Sequence, residues 1–291
     1  MLALPTRKKT KMRNRHILTC LFLLTFIPLS VKALPPPSPA SGNYLALDGV
    51  DDYAVLDFET FGTLLPEGTD EFTIEAWIYP TTPPADDIHA MILSQQVKMD
   101  VVNDVHDGWE NVRKKLKWQK GDLFLRMQAH IIMKKRVVGT SYHPVVLSPN
   151  QWHHIAFQAK EGQTTTIVND VAHISSQSIT LAHDLSSLER PKDFTLGGFG
   201  EKIGSTRHTH FWGAFAGYID EVRISTVARY DVAKEGFTPR DKFKNDAKTV
   251  ALWHFDEPGG TTKFSDASGN AYHLEGKNGA KTGTPLKVKA Q

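Results

Sequence analysis

Short segments in which apolar and polar residues alternate recur along this chain from Asn43 onward, separated by Gly, Asp, Asn and Pro. The clearest segment has apolar residues at every second position, namely Phe72, Ile74, Ala76 and Ile78. Successive side chains of a β-strand point to opposite faces, so a period of two indicates strands with a buried face. Many such strands without alternating helices predict an all-β protein, a two-sheet antiparallel sandwich.

Turn residues between these segments predict how the strands are joined. Gln119–Asp122, Glu161–Gln163 and Asn169-Asp170 each separate two alternating runs, which predicts three turns of the hairpin type. One stretch competes with the strand pattern, since Trp109, Val112 and Leu116 have the spacing of one helix face. The glycine before this stretch and the predicted hairpin after it favour a strand there.

The chain begins with the features of a secretory signal peptide. Basic residues precede the uncharged run Ile17–Val31, and small residues at Val31 and Ala33 fit a cleavage site after residue 33. The run is shorter than the ~20 residues that span a bilayer as a helix, so a retained anchor is the weaker alternative. Met12 is an alternative start. We therefore expect a secreted protein, extracellular or periplasmic.

The remaining chain is predicted to comprise three parts. Residues 34–42 are rich in proline, which suits an exposed, stiff linker. Residues 43–276 contain the alternating segments and form one domain. Residues 277–291 are basic and are expected to be a disordered tail.

Charge and cysteine content exclude several classes of protein. Residues 1–33 hold seven of the 34 basic residues and none of the 32 acidic ones, so their removal changes the net charge from +2 to −5. A nucleic-acid partner is therefore not expected. The single cysteine, Cys20, lies in the signal peptide, so the mature chain has no disulfide, thiol nucleophile or cysteine-bound zinc.

Four sequence blocks occur in a characteristic order: Tyr44–Leu56, Phe72–Tyr79, Gln151–Phe157 and Gly217–Ile224. In this order and spacing they resemble the laminin-G-like domains of the concanavalin A-like lectin and glucanase family. The resemblance covers roughly residues 43–276. It implies a jelly-roll sandwich in which the first and a late strand are neighbours and the termini pair. It also implies a binding module for carbohydrates or proteins.

Two groups of acidic residues suggest a calcium site. Asp48, Asp51 and Asp52 crowd one turn, and Asp220 precedes Glu221 in a late strand. The resemblance implies that these two strands are neighbours, and Ca²⁺ prefers such hard oxygen ligands. We predict a structural Ca²⁺ bound by Asp48 and Asp220. The alternative is that the aspartates only stabilise turns through their own backbone.

No catalytic motif is evident in the sequence. The related glucanases carry two catalytic carboxylates on one face of a strand, whereas alternation should send Asp220 and Glu221 to opposite faces. His208 and His210 would share a strand face, which makes a zinc site a minor alternative. We therefore predict a module without enzymatic activity, with a glycosidase as the third-ranked alternative.

The predicted ligand-binding residues are aromatic or basic. Trp109 and Trp212 lie near glycines in predicted loops, where an exposed indole can stack on a sugar ring. Arg113 and Lys115 belong to a basic segment within an acidic mature chain, which suits an acidic glycan. A surface glycan is thus the predicted partner, and a cell-surface protein is the alternative. The alternatives remain open: the tryptophans would pack against the sandwich, and the basic residues would form a solvated face.

Overall fold

The computed structural model describes residues 35–103, 110–129, 139–175, 179–181, 190–204, 210–232 and 238–285. The chain divides into two units, residues 1–33 and residues 34–291. The predicted signal peptide, its cleavage site and Cys20 lie outside the described residues. The fold below is that of the second unit.

Sheet A consists of eight antiparallel strands. They are β1 (Tyr44–Asp48), β3 (Phe72–Pro80), β8 (His153–Lys160), β9 (Gln163–Val168), β10 (Val171–Ser175), β14 (Ala216–Ser225), β15 (Thr249–Trp253) and β18 (Lys281–Gly283). Their order is β10-β9-β8-β3-β14-β1-β18. The long strand β14 pairs with β1 along its first half and with β15 along its second half.

Sheet B consists of ten strands. They are β2 (Tyr53–Leu56), β4 (Ile88–Ser94), β5 (Val97–Val102), β6 (Leu123–Ala129), β7 (Gly139–Leu147), β11 (Phe194–Leu196), β12 (Ile203–Gly204), β13 (Phe211–Ala214), β16 (Lys263–Phe264) and β17 (Leu274–Lys277). The main order is β16-β17-β2-β11-β4-β5-β6-β7, and β12 and β13 join beside β4. Strand β13 runs parallel to β4. The predicted two-sheet sandwich is confirmed.

The main core lies between the inner faces of the two sheets. Phe72, Ile74 and Ile78 of β3 face Met99 and Leu125 of sheet B within one buried apolar cluster. The alternation of β3 thus sends the predicted side chains inward. The other face of β3 is also buried, because Phe243 packs against Trp77 and the backbone carbonyl of Arg240 accepts a hydrogen bond from the Trp77 indole. Burial on both faces makes β3 the best protected strand of sheet A.

Two of the predicted hairpins are present, and their turn residues explain them. Glu161 and Gly162 have φ values of 49° and 75°, which suits the two-residue turn that joins β8 to β9. Asn169, with φ of 56°, begins the turn between β9 and β10. Asparagine tolerates this left-handed conformation better than most residues do.

The prediction of a strand before the Gln119–Asp122 turn is wrong. Residues Glu110–Leu116 form a helix, α2, and the Gln119–Asp122 turn joins it to β6 rather than to a paired strand. The helical spacing of Val112 and Leu116 was the correct signal. A shorter helix, α1, spans Phe58–Phe61 and is capped by Asp57. Among the described residues, no helix is long and apolar enough to cross a membrane.

The boundaries predicted for the linker and the tail are also wrong. Pro35 and Ser38 are buried against the domain, so residues 35–38 are not an exposed linker. At the other end, β18 pairs with β1, which carries the ordered chain well beyond residue 276. The resemblance also implied that the first and last strands of the domain pair, and the pairing of β1 with β18 confirms this. Composition alone predicted a disordered tail from residue 277, but backbone hydrogen bonds to β1 order residues 281–283 of this basic segment.

Candidate functional site

The acidic turn that follows β1 consists of Asp48, Asp51 and Asp52. One carboxylate oxygen from each lies within 4.8 Å of the others. Asp48 Oδ1 accepts hydrogen bonds from the backbone amides of Val50 at 2.7 Å and Asp51 at 3.3 Å. Burial, and then the charge of Asp48, raise the pKa of Asp52. The carboxylates therefore stabilise the turn and also concentrate negative charge there.

Asp220 does not join this turn. The register of β1 with β14 pairs Asp48 with Ala216, which is four residues from Asp220 and ~13 Å from it along an extended strand. Asp220 is fully buried and accepts a hydrogen bond from the Ser38 hydroxyl. Burial raises its pKa well above the usual value. The two strands are neighbours as the resemblance implied, but the predicted pair of metal ligands is not brought together.

A β-bulge corrects the expectation that Asp220 and Glu221 face opposite sides. Three residues of β14 span the distance that two residues of β3 span, and Glu221 has φ of 52°. Both acidic side chains therefore lie on the outer side of sheet A. Glu221 accepts hydrogen bonds from the Phe243 amide and from His254 Nδ1, each at 2.6 Å. Its two carboxylate oxygens thus hold residues 243 and 254 onto the sheet.

The outer face of sheet A also carries a buried ionic cluster that the sequence did not reveal. Arg223 Nε donates to Glu75 Oε1 at 2.7 Å, and the Tyr230 hydroxyl donates to Glu75 Oε2. His154 Nε2 lies 3.0 Å from the same hydroxyl. Burial opposes ionisation of Glu75, yet His154, Arg223 and Tyr230 outweigh it and lower its pKa. Glu75 alternates with core residues, so its position was visible in the sequence but its partners were not.

The basic helix α2 places two predicted ligand-binding residues at the surface. None of its residues is buried, and Arg113, Lys114 and Lys115 form its last turn. The Arg113 guanidinium lies 4.9 Å from the centre of the Trp118 ring. Burial, and then the charge of Lys115, lower the pKa of His173 in β10. Trp109, which precedes the helix, lies outside the described residues.

Trp212 is not the exposed loop residue that the sequence suggested. It belongs to β13, is 6% exposed, and packs with Met91 and Phe199. The Lys98 ammonium lies 3.9 Å from the centre of its ring. A sugar therefore cannot stack on this indole without displacing Lys98. The glycines around Trp212 predicted a loop. The residue instead belongs to β13, which pairs in parallel with β4, and its ring is buried there.

The outer face of sheet B carries a buried polar cluster beside Trp212. Arg126 Nε and Nη2 donate to the two carboxylate oxygens of Asp100 at 2.8 and 2.6 Å. The side chain of Arg190 donates to Ser94, and burial lowers its pKa to about 9. Lys98 and Asp100 alternate with core residues of β5, which was the available sequence signal.

Histidines on this face stack rather than form a metal cluster. The rings of His89 and His210 lie 4.0 Å apart at 24°. His208, the other half of the predicted pair, lies outside the described residues. Within the ranges that the structure describes, the acidic turn is the sole group of three or more His, Cys, Asp or Glu side chains with metal-binding spacing.

A two-sheet sandwich of mainly antiparallel strands, in which the first and last strands pair, is the architecture of a concanavalin A-like domain. The chain belongs to the concanavalin A-like lectin/glucanases superfamily, whose laminin G-type family model matches residues 48–231. The laminin-G-like resemblance read from the four sequence blocks is thereby confirmed. No curated protein sequence is significantly similar to the chain.

A solved structure with a TM-score above 0.5 has the same fold. A Bacteroides ovatus protein assigned as carbohydrate-binding is 18% identical, with a TM-score of 0.53 over 85% of this chain and 61% of that one. The chain thus spans less than two thirds of that protein. The heptameric pentraxin of Limulus polyphemus is 14% identical over 68% of this chain and 85% of its own, with a TM-score of 0.39. Mouse laminin α1 domains LG4-5 are 11% identical over 69% of this chain and 45% of their own, with a TM-score of 0.38.

Proposed function

We propose that this protein is a secreted, non-catalytic module that binds an acidic extracellular carbohydrate through the surface of helix α2. The observation that carries the proposal is the basic last turn of α2, in which Lys114 and Lys115 are exposed and Arg113 is half-buried. The family supports a binding module, and its members on this fold include lectins. Cations concentrated on one helix of a chain with a predicted mature charge of −5 attract anions locally while the rest of the surface repels them.

The proposal relies on charge rather than on aromatic stacking. Trp212 is covered by Lys98, so it is not included in the proposed contact surface. Lys114 forms an exposed ion pair with Glu110 at 2.8 Å. The principal candidates are Arg113, whose guanidinium lies against the Trp118 ring, and the exposed Lys115. Sulfate or carboxylate groups of a glycan would contact these two side chains. Trp109 remains a proposed contact, because it immediately precedes the helix.

The absence of enzymatic activity is part of the proposal. Glu221 holds Phe243 and His254, and Asp220 accepts from Ser38, so both acids are engaged in structural contacts. Retaining glycoside hydrolysis needs two carboxyl groups about 5–5.5 Å apart across a substrate. Hydrolysis of any bound glycan by the purified protein would contradict this part of the proposal.

The test is binding to an array of neutral and acidic glycans. The variant Arg113→Glu with Lys115→Glu should lose about tenfold in affinity for the acidic glycans, since two charge contacts of up to ~1 kcal/mol each are lost. The control, Lys248→Glu with Lys263→Glu, makes the same charge change at exposed positions outside α2. Wild-type affinity should fall as salt rises from ~0.05 to ~0.15 M.

Equal binding by both double variants would exclude α2 as the site. Binding to a cell-surface protein but to no glycan would favour the alternative adhesion function. Export is tested separately by N-terminal sequencing of secreted material. The sequence obtained should begin at Leu34. A membrane-retained product that still carries residues 1–33 would contradict secretion.

Structural calcium remains part of the proposal, at the acidic turn rather than between Asp48 and Asp220. Three carboxylates within 4.8 Å fit part of the six to eight oxygens that Ca²⁺ takes. At ~100 times its Kd, calcium would add about 2.7 kcal/mol to stability. Chelation should therefore lower the melting temperature of the wild type. It should have less effect on Asp51→Asn, which keeps the hydrogen bonds of Asp48. Unchanged melting and no copurified metal would exclude the site.

A further inference from the structure

The segment Pro35–Ser38 contacts the domain with a period of three. Pro35 is buried, Pro36 and Pro37 are exposed, and Ser38 is 5% exposed. Pro39 is exposed again. A polyproline II helix has three residues per turn, so residues i and i+3 face the same side. The burial pattern is therefore that of one turn of polyproline II helix lying on a surface.

The sequence dictates this conformation before the segment contacts anything. Each proline fixes its own φ near −65°. A following proline also restricts the residue before it to extended or polyproline II values, which applies to residues 34, 35, 36 and 38. The segment thus loses little conformational entropy on docking. Proline-rich ligands of aromatic grooves owe their affinity to the same preformed geometry.

An aromatic cluster on the outer face of sheet A forms the surface beside it. Tyr79 and Tyr218 are directly paired across β3 and β14, with ring centres 5.8 Å apart. Tyr44 of β1 packs on Tyr218 at 4.7 Å, and Trp152, just before β8, packs on Tyr79 at 5.3 Å. We call Tyr44, Tyr79, Trp152 and Tyr218 the tyrosine–tryptophan cluster. It joins four neighbouring elements of one sheet face.

Two hydrogen bonds fix the segment on this face. Trp152 Nε1 donates to the backbone carbonyl of Pro36 at 3.0 Å. The Ser38 hydroxyl donates to Asp220, two residues after Tyr218 on β14. Proline has no backbone N–H, so its carbonyl is the main-chain group available for recognition, and an indole N–H is a suitable donor.

Tyr44 leaves a further donor within the cluster. It is fully buried, and among the described residues its hydroxyl has no hydrogen-bond partner. Burial, and then the neighbouring tyrosines, raise its pKa, so the hydroxyl stays protonated. A buried hydroxyl without a partner costs about 1–3 kcal/mol. The cluster thus holds one donor without a partner beside the indole N–H that binds the Pro36 carbonyl.

We propose that the tyrosine–tryptophan cluster is a binding groove for proline-rich polypeptide segments in the polyproline II conformation, occupied here by the chain's own residues 35–38. The occupant that we assign is a proline-rich segment of another polypeptide, which competes with the segment in cis. This site lies on sheet A and is independent of the glycan contact proposed at α2. Failure of either proposal leaves the other intact.

The first experiment tests docking in cis with the full secreted chain. Pro35→Glu places a charge at a buried position, whereas Pro37→Glu makes the same change at an exposed one. The indole N–H resonance of Trp152, assigned with Trp152→Phe, should shift and exchange faster with solvent in Pro35→Glu only. Melting temperatures of both variants check that the domain remains folded. Equal resonances in the two variants would overturn docking with the observed register.

The second experiment tests recognition in trans. A peptide with the sequence of residues 34–40 should bind the Pro35→Glu variant. Its affinity for wild type should be lower by a factor of about ten or more, because the wild-type segment competes in cis at an effective concentration of ~1 mM. The comparison peptide has alanine in place of the three consecutive prolines. Adding Trp152→Phe to Pro35→Glu should weaken peptide binding, since an aromatic ring is kept but the indole N–H donor is lost. Equal binding of the two peptides, or no effect of Trp152→Phe, would overturn the proposal.

Discussion

Arg126 donates two hydrogen bonds to the carboxylate of Asp100, and the ion pair is buried on the outer face of sheet B. Each residue is the direct neighbour of the other across β5 and β6. The geometry is the bidentate one that favours arginine over lysine. Removing one partner leaves the other as an uncompensated buried charge, so this pair provides a sharp test of the structure.

We expect Arg126→Met to lower the free energy of unfolding by about 3–5 kcal/mol. The double variant Arg126→Met with Asp100→Leu should recover part of that loss, because neither member of the pair is then left as a buried charge without the other. Urea unfolding of the two single variants and the double variant measures the coupling. Additive losses would show that the two side chains do not interact.

Asp220 should make stability depend on pH. Its pKa is raised well above 3.8 in the folded protein, mainly by burial. The stability that it contributes is therefore complete below pH 3.8 and is lost as the pH rises through the folded-state pKa. Asp220→Asn should become progressively more stable, relative to wild type, from about pH 4 to pH 8. Thermal melting across this range, with the exposed Asp241→Asn as control, checks the trend. A difference that is constant with pH would contradict it.

Tyr230→Phe should destabilise the protein by about 1–3 kcal/mol at neutral pH, because the hydroxyl that donates to buried Glu75 is lost. The pKa of Glu75 is lowered below 4.5, so its contribution is present above pH 4.5 and is lost as the pH falls through the folded-state value. The deficit of the variant should thus shrink in acid. Urea unfolding at several pH values measures this, with Tyr53→Phe of β2 as control. A deficit that persists in acid would show that the loss of stability comes from packing and not from the hydrogen bond to Glu75.

Gly217 should tolerate no side chain. Its φ is 155°, and an added Cβ would lie 2.2 Å from the Tyr79 carbonyl oxygen on β3. Gly68 also has a positive φ, of 77°, but an added Cβ there meets nothing within 4 Å. We expect Gly217→Ala to cost ~2–4 kcal/mol more than Gly68→Ala, because only the former must separate two strands. Equal melting temperatures for the two variants would contradict the close approach of β14 to β3.

Particular residues show how far the sequence leads. Phe72, Ile74 and Ile78 were assigned to the core from alternation alone, because the period of two is a local property of a strand. Trp253 of β15 is fully buried in the same core. Trp77 is buried too, but on the outer face, against Phe243. Its burial depends on the contact with Phe243, which is distant in sequence, and no local pattern encodes that contact.

The candidate sites depended more strongly on tertiary structure. Arg113 and Lys115 were recognised from charge, and they are at the surface as an ion-binding role requires, although on a helix rather than a strand. Asp48 and Asp220 were paired because their strands are neighbours, yet a register offset of four residues separates them. Register depends on hydrogen bonding along the whole strand pair, so the sequence of two turns could not supply it.

The sequence by itself determined the alternation that makes this chain a two-sheet sandwich and the order of the four family blocks. These follow from local backbone geometry and side-chain periodicity. The tertiary structure alone decided which polar groups meet: Ser38 with Asp220, Trp152 with the Pro36 carbonyl, and Arg126 with Asp100. Such contacts join residues that are distant in sequence, and they form only after both sheets have fixed the register of their strands.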